Sequence, residues 1–226
     1  MAFRCRLSQG ITEPSVIKKK NAWSSLQLHL CCSEFIQYAC KASADPRGLG
    51  RWCSWQFLCN PKHVSRIVVA YRTCRSKAKG LRTIYQKQLR YIQAHNLKCS
   101  PVELFDRDLA KQIKEWRKSG ERIVLVMDVN DHPLTSRFYQ QLQKEQTGLE
   151  EFTHKCWGPT PPYTHISGSS PIDGGYKSSE IEIVNLGMLT FAESPGDHRS
   201  LIIKFQPAHS WENSGSRFVD PSAGDL

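Results

Sequence analysis

The chain has 226 residues, of which 39% are hydrophobic, and carries 31 Lys plus Arg against 21 Asp plus Glu for a formal net charge of +10. That length suits one domain, or one domain with a tail, and the positive excess favours a polyanionic partner or an acidic surface over a cationic substrate. The best membrane-span candidate, Trp23 to Cys40, is broken by Gln27, His29, Glu34 and Gln37, and Arg4 and Arg6 are followed by no apolar segment, so neither a span nor a signal peptide is read and the expected location is the nucleus or cytoplasm.

The nine cysteines are odd in number and contain no Cys-x-x-Cys pair. A zinc site and a disulfide scaffold are therefore poorly supported, and free thiols are the simpler reading. Residues 1–49 read as a mostly irregular leader, with a small basic cluster at Lys18-Lys19-Lys20. Within it, residues 23–40 fit either a short helix or an irregular strand. Ser43 to Gly50 is a loop by composition.

From residue 50 the pattern sharpens. Trp52 to Leu58 alternates, with Cys53, Trp55 and Phe57 on one side. Asn60-Pro61-Lys62-His63 is a turn, and Val64 to Tyr71 is a second strand, so the two predict a hairpin. Arg72 to Gly80 is a basic loop. Leu81 to His95 predicts a helix through Leu81, Ile84, Tyr85, Leu89 and Ile92. Ser100-Pro101-Val102-Glu103 is a capping box with Pro at the first helical position. The helix it opens turns Phe105, Leu109, Ile113 and Trp116 to one face and stops at Gly120.

Arg122 to Met127 is an apolar strand that ends abruptly in Asp128, with Asn130 two residues on. Alternation lets Asp128 and Asn130 point the same way. A strand running into an Asx turn explains these two residues equally well when they are taken alone. Pro133 to Lys144 suggests a helix with Leu134, Phe138 and Leu142 inward. Residues 156–171 form a Pro-, Gly-, Ser- and Thr-rich loop. Ile172 to Lys177 is a short strand, Glu180 to Phe191 one or two more, and Leu201 to Phe205 the last. Residues 207–226 read as a disordered tail. Strands and helices alternate and then strands dominate, which predicts a layered α/β fold.

Polar residues stand at several strand ends: Tyr71, Asp128 with Asn130, Asp173, and Asp197 with His198. Carboxylate oxygens of this kind suit Mg²⁺ or Mn²⁺, and a bound divalent ion neutralises phosphate charge. A histidine beside a carboxylate has its pKa raised and can serve a phosphoryl oxygen. His132 and His165 are read as background histidines.

Four blocks resemble the endonuclease/exonuclease/phosphatase superfamily, and within it the retrotransposon-type members: Arg66 to Arg72, Val124 to Asn130, Ser170 to Ser178, and Ser194 to Ser200. In the second block Met127 and Val129 stand where the family has Gly and Phe. The resemblance implies a DNase I-like four-layer sandwich of two mixed sheets flanked by helices, over residues 50–206. It implies metal-dependent phosphodiester hydrolysis on nucleic acid. It assigns catalysis to Asp128, Asn130, Asp173 and His198, phosphate contacts to Tyr71 and Arg72, and a Mg²⁺ or Mn²⁺ ion to Asp197. The family's early strands, with their metal-binding Glu, have no counterpart before residue 50, so the expectation is the C-terminal part of such a domain with weak metal binding. A catalytically silent nucleic-acid-binding remnant, or a phosphatase on a small phosphate ester, are the other readings.

Overall fold

The computed structural model describes residues 38–60, 63–74, 83–158 and 160–207. The Lys18-Lys19-Lys20 cluster, the basic loop from Arg75 to Gly80, Leu81 and the tail from residue 208 lie outside these residues.

Six strands form a mixed sheet: β1 (Ala39–Ala44), β2 (Trp52–Asn60), β3 (His63–Tyr71), β4 (Arg122–Asp128), β5 (Leu149–Glu151) and β6 (Asp173–Ser178). Their spatial order is β1-β2-β3-β4-β6-β5, and β7 (Ile181–Met188) and β8 (Leu201–Pro207) make a separate antiparallel pair. The expected hairpin is β2–β3. β3 and β4 are parallel, and the crossover between them contains helices α1 (Ile84–Ala94) and α2 (Pro101–Lys118). Helices α3 (Arg137–Lys144) and α4 (Thr153–Trp157) follow.

Local chemistry explains the boundaries. Thr83 caps α1 by accepting the Gln86 amide at 3.2 Å. Ser100 and Glu103 exchange both capping-box bonds, at 3.2 and 2.9 Å. Gly120, at φ 78°, ends the α2 segment. α3 starts later than the sequence suggests because Ser136 is its cap, accepting the Tyr139 amide at 3.2 Å. Leu134 thereby falls outside the helix and is exposed, whereas Phe138 and Leu142 point inward as expected. Ser43 and Ala44 belong to β1, not to the loop, and Ser43 hydroxyl-bonds Ser54 on β2 at 2.8 Å. Strand β5 and helix α4 have no counterpart in the sequence reading.

Alternation along the strands builds two cores. Trp52, Val68, Ala70, Ile123, Leu125, Met127 and Tyr176 face α2 and α3, where Phe105, Leu109, Ile113, Phe138 and Leu142 are fully buried. On the opposite face Val124 and Val126 pack with Phe152 and with Ile181, Ile183, Leu186, Ile203 and Phe205 of β7–β8. Gly175 is required there: a Cβ would lie 2.1 Å from the Phe152 ring. The layers are helices, mixed sheet and second sheet, an α/β arrangement that matches a DNase I-like fold, although among the described residues the second sheet is a two-stranded antiparallel pair and not the second mixed sheet expected. Val184 and Ile202 on the second sheet are exposed. Cys40, Cys53, Cys74, Cys99 and Cys156 form no disulfide among the described residues. Among the described residues no helix is long and apolar enough to cross a membrane.

Candidate active site

Register brings three strand ends into line. Tyr71 pairs with Asp128 across β3–β4, and Asp128 pairs with Asp173 across β4–β6. Side chains directly opposite on one face of a sheet are neighbours, so a phenol and two carboxyl groups are set side by side. The ladder continues one step past the tip, where the Val129 amide donates to Ile172 O at 2.8 Å. The chain then turns at Asn130, φ 50°, a conformation that asparagine adopts more readily than most residues. Asn130 donates its backbone N–H to Asp128 Oδ1 at 2.9 Å and its carboxamide to Asp128 Oδ2 at 3.0 Å and Arg72 O at 2.7 Å. Both Asp128 oxygens are thereby held.

His198 arrives from the segment before β8. Residues 197–199 run antiparallel to residues 164–166: the Ile166 amide donates to Asp197 O at 2.9 Å and the Arg199 amide to Thr164 O at 2.8 Å, which places His165 opposite His198. Buried Thr164 ties this ribbon to β6, its hydroxyl oxygen accepting the amides of Ile172 and Asp173 at 3.0 and 3.1 Å. His198 Nδ1 then lies 2.8 Å from Asp173 Oδ2 and Nε2 lies 3.9 Å from Asp128 Oδ2.

The electrostatics follow from this crowding. Burial, then the Asp173 charge, push the Asp128 carboxyl from 3.8 up to about 6. Burial alone would lower the His198 imidazole, but the Asp173 bond and the surrounding carboxylates outweigh it and hold the group above its ordinary value. Burial and Asp128 raise the Tyr71 phenol, so it remains a donor at neutral pH.

Six of the seven residues singled out from the sequence therefore converge: Tyr71, Asp128, Asn130, Asp173, Asp197 and His198 line one cleft of about 630 Å³. Asp197 stands at its rim with 69% of its side chain exposed. Arg72 is a correction. It is 4% exposed, and its guanidinium bonds Asp106 at 2.7 and 3.0 Å and Val129 O at 3.1 Å. Alternation turns it away from the cleft that Tyr71 faces, and a buried guanidinium needs a carboxylate partner.

Three residues join the site that the sequence reading left aside. Thr164 is one. His165 is another: its Nδ1 accepts the Ser167 amide at 3.1 Å, which puts the neutral ring's proton on Nε2, 3.3 Å from Asp197 Oδ2. Its ring meets His198 edge-on at 4.9 Å. Arg199 is the third. With Tyr71, Asp128 and Asp173 it lines an adjoining cleft of about 540 Å³ whose other walls include Val69, Ile84, Val126 and Leu201. Its position beside His198 was the only signal available for it.

Two groups of side chains offer ligand atoms within 4.8 Å of one another, Asp128–Asp173–His198 and His165–Asp197–His198. The first fits a hard divalent cation: two carboxyl groups are close enough for one to raise the other's pKa, and a cation between them would remove that repulsion. No glutamate lines either cleft among the described residues.

No protein-family model and no curated protein matches the sequence. Solved structures do match the fold. The catalytic domain of human Nocturnin, solved with a bound sulfate anion, is 15% identical, with a TM-score of 0.51 over 75% of this chain and 59% of that one. The chain thus spans about three fifths of that domain's length. A 3'-5' exonuclease, NExo, from Neisseria meningitidis is 13% identical, with a TM-score of 0.50 over 74% of this chain and 71% of that one. NExo has also been solved as a 3' phosphatase bound to a product DNA hairpin. These neighbours belong to the endonuclease/exonuclease/phosphatase family, and the fold shared with them is the DNase I-like one.

Proposed function

We propose that the chain is a divalent-metal-dependent phosphodiesterase acting on nucleic acid. The observation that carries this is His198, fixed to Asp173 at 2.8 Å with its other nitrogen turned to Asp128, at the common tip of three strands. Such a unit has no need to exist in a fold built for stability alone, because clustered carboxyls and a histidine oppose burial. The positive net charge and the neighbour bound to a DNA hairpin support a nucleic-acid substrate. The four sequence blocks support a retrotransposon-type member of the fold.

The residues divide the work. The scissile phosphate sits over the strand tips, with the Tyr71 hydroxyl donating to a phosphoryl oxygen. Asn130 orients the attacking water, and Asp128 takes its proton as the oxygen bonds to phosphorus. In the metal-free site burial and the Asp173 charge push this carboxyl up to about 6, and a neighbouring cation would keep it unprotonated and able to accept the proton. Asp173 fixes the His198 ring, and His198 donates to the oxygen on which charge grows in the transition state. Asp128 and Asp173 in one group of ligand atoms, or Asp197 in the other, would hold Mg²⁺ or Mn²⁺, and the ion would supply charge neutralisation and polarise the P–O bond. As the water oxygen bonds to phosphorus, the P–O bond on the opposite side breaks, its electron pair leaves with the sugar oxygen, and that oxygen takes a proton from solvent, with no covalent enzyme intermediate.

The test is nicking of a supercoiled plasmid by the full chain, with Mg²⁺ and with EDTA. Metal-dependent nicking that disappears in both Asp128→Ala and His198→Ala is expected. Metal-independent nicking, or nicking retained by both variants, rules the proposal out.

A further inference from the structure

We propose that Tyr163, Phe191 and Arg199 form a nucleotide subsite beside the cleft, with an unpaired base stacked on the aromatic pair and a phosphate on Arg199. This rests on the phosphodiesterase reading and adds the form of substrate it takes.

Tyr163 and Phe191 stack with ring centroids 5.6 Å apart at 27°. Neither ring belongs to either hydrophobic core, and Tyr163 is 44% exposed. The neighbouring Ile166 is 59% exposed. Among the exposed large apolar side chains Tyr163 is the aromatic one, and it stands next to a polar cleft in a layout that buries Phe105, Phe138 and Phe152 almost completely. The guanidinium of Arg199 lies 5.4 Å from the Phe191 centroid, held by Nε donating to Leu189 O at 2.8 Å.

Arg199 differs from seven other arginines, of which Arg107 pairs with Asp108. Arg47, Arg51, Arg66, Arg72, Arg117 and Arg137 each pair with a carboxylate. Arg199 has no carboxylate partner among the described residues, yet it lines the cleft with Tyr71, Asp128 and Asp173. An oriented, unpaired guanidinium beside a phosphodiester site is chemically matched to a neighbouring phosphate.

The backbone makes the two halves adjacent. Tyr163 directly precedes Thr164, whose hydroxyl holds β6 in place, and Arg199 directly follows His198. The Arg199 amide bonds Thr164 O at 2.8 Å, which locks platform and catalytic ribbon together. A flat aromatic face accepts a base of any sequence, but only a base out of its own duplex stack. The subsite therefore selects single-stranded or locally unpaired strands by shape and charge, without reading sequence.

The test uses the full chain in EDTA with a short single-stranded deoxyoligonucleotide carrying 2-aminopurine, beside the same sequence as a duplex. The expected result is quenched 2-aminopurine fluorescence and tighter binding of the single strand. Tyr163→Ala should weaken that binding about tenfold and remove the quench, whereas Tyr163→Phe should keep both. Arg199→Ala should reduce the salt slope of single-strand binding by about 0.7. Equal affinity for duplex and single strand, or unchanged affinity and quench in Tyr163→Ala, would overturn the subsite. Hydrolysis of bis(p-nitrophenyl) phosphate by the wild-type chain with Mg²⁺ reads the catalytic proposal separately, because that ester has no base. Hydrolysis without 2-aminopurine quenching overturns the subsite alone. Quenching that depends on Tyr163, without ester hydrolysis, supports the subsite and counts against the catalytic reading.

Discussion

Adjacent residues on β3 and β4 serve two regions with opposite demands. Ala70 and Met127 point into the helix-covered core, and each is nearly inaccessible to water. Tyr71 and Asp128, one residue further along each strand, point to the other face at the strand tips. On the core side every buried charge named above is neutralised, as Arg72 is by Asp106. At the tips two carboxyl groups are set side by side with no arginine or lysine between them among the described residues, and burial, with the Asp173 charge added, raises Asp128 to about 6. The core is arranged for stability. The tips keep an unfavourable arrangement, which is what a binding or catalytic site requires of its fold.

That contrast predicts which substitutions cost activity and which cost stability. Asp128→Ala should reduce nicking about 10³-fold while leaving the thermal midpoint unchanged or higher, since it removes the repulsion with Asp173. A lower midpoint in calorimetry would blur the two regions. Phe105→Ala, in the core where the ring meets Trp52 and Phe138, should cost about 3–5 kcal/mol in urea unfolding. Arg72→Met leaves Asp106 buried without its partner, and should cost about 3 kcal/mol or more. Pairing it with Asp106→Leu should restore most of that loss, and no recovery would mean that the Arg72 bond to Val129 O, not its pairing with Asp106, carries the stability.

The pH dependence of stability sharpens the same comparison. A carboxyl whose folded pKa is raised to about 6 binds its proton more tightly folded than unfolded, so the metal-free protein should lose about 3 kcal/mol of stability as pH rises from about 4 through 6. His198, raised above 6.5, contributes stability that is complete below that value and is lost as pH rises through its folded pKa. Both trends have one sign. Saturating Mg²⁺ should flatten the loss, because the cation replaces the proton between Asp128 and Asp173. A metal-free protein that gains stability from pH 5 to pH 8 would contradict this. The smallest effect is expected on the second sheet's exposed surface, where Ile202→Ser should change unfolding free energy by no more than about 0.5 kcal/mol.

Much of the fold was legible because its signals are local. The β2–β3 hairpin, the α2 capping box and the apolar run into Asp128 each have their cause within a few residues. The convergence of Tyr71, Asp128, Asp173 and His198 was legible because each ends or borders an apolar strand. Arg72 misled because its charge was noticed and its parity was not. Since Tyr71 faces the cleft, Arg72 must face the helices, where Asp106 meets it. Thr164 and His165 act through backbone pairing with residues 197–199, more than thirty positions away, and no local pattern records such a pairing. Strand β5 spans Leu149–Glu151 and is too short to show a period. β1 is composed of small residues apart from Lys41 and carries a register shift between Ala39 and Lys41.

The central claim is that Asp173 and His198 act as one unit beside Asp128. A double-mutant cycle on the Mg²⁺-dependent nicking rate, with Asp173→Asn, His198→Ala and the two combined, tests it most directly. The account predicts that each single variant loses nearly as much rate as the pair together. Losses that multiply, as for residues working independently, would contradict it, and so would a combined variant that still nicks at the wild-type rate.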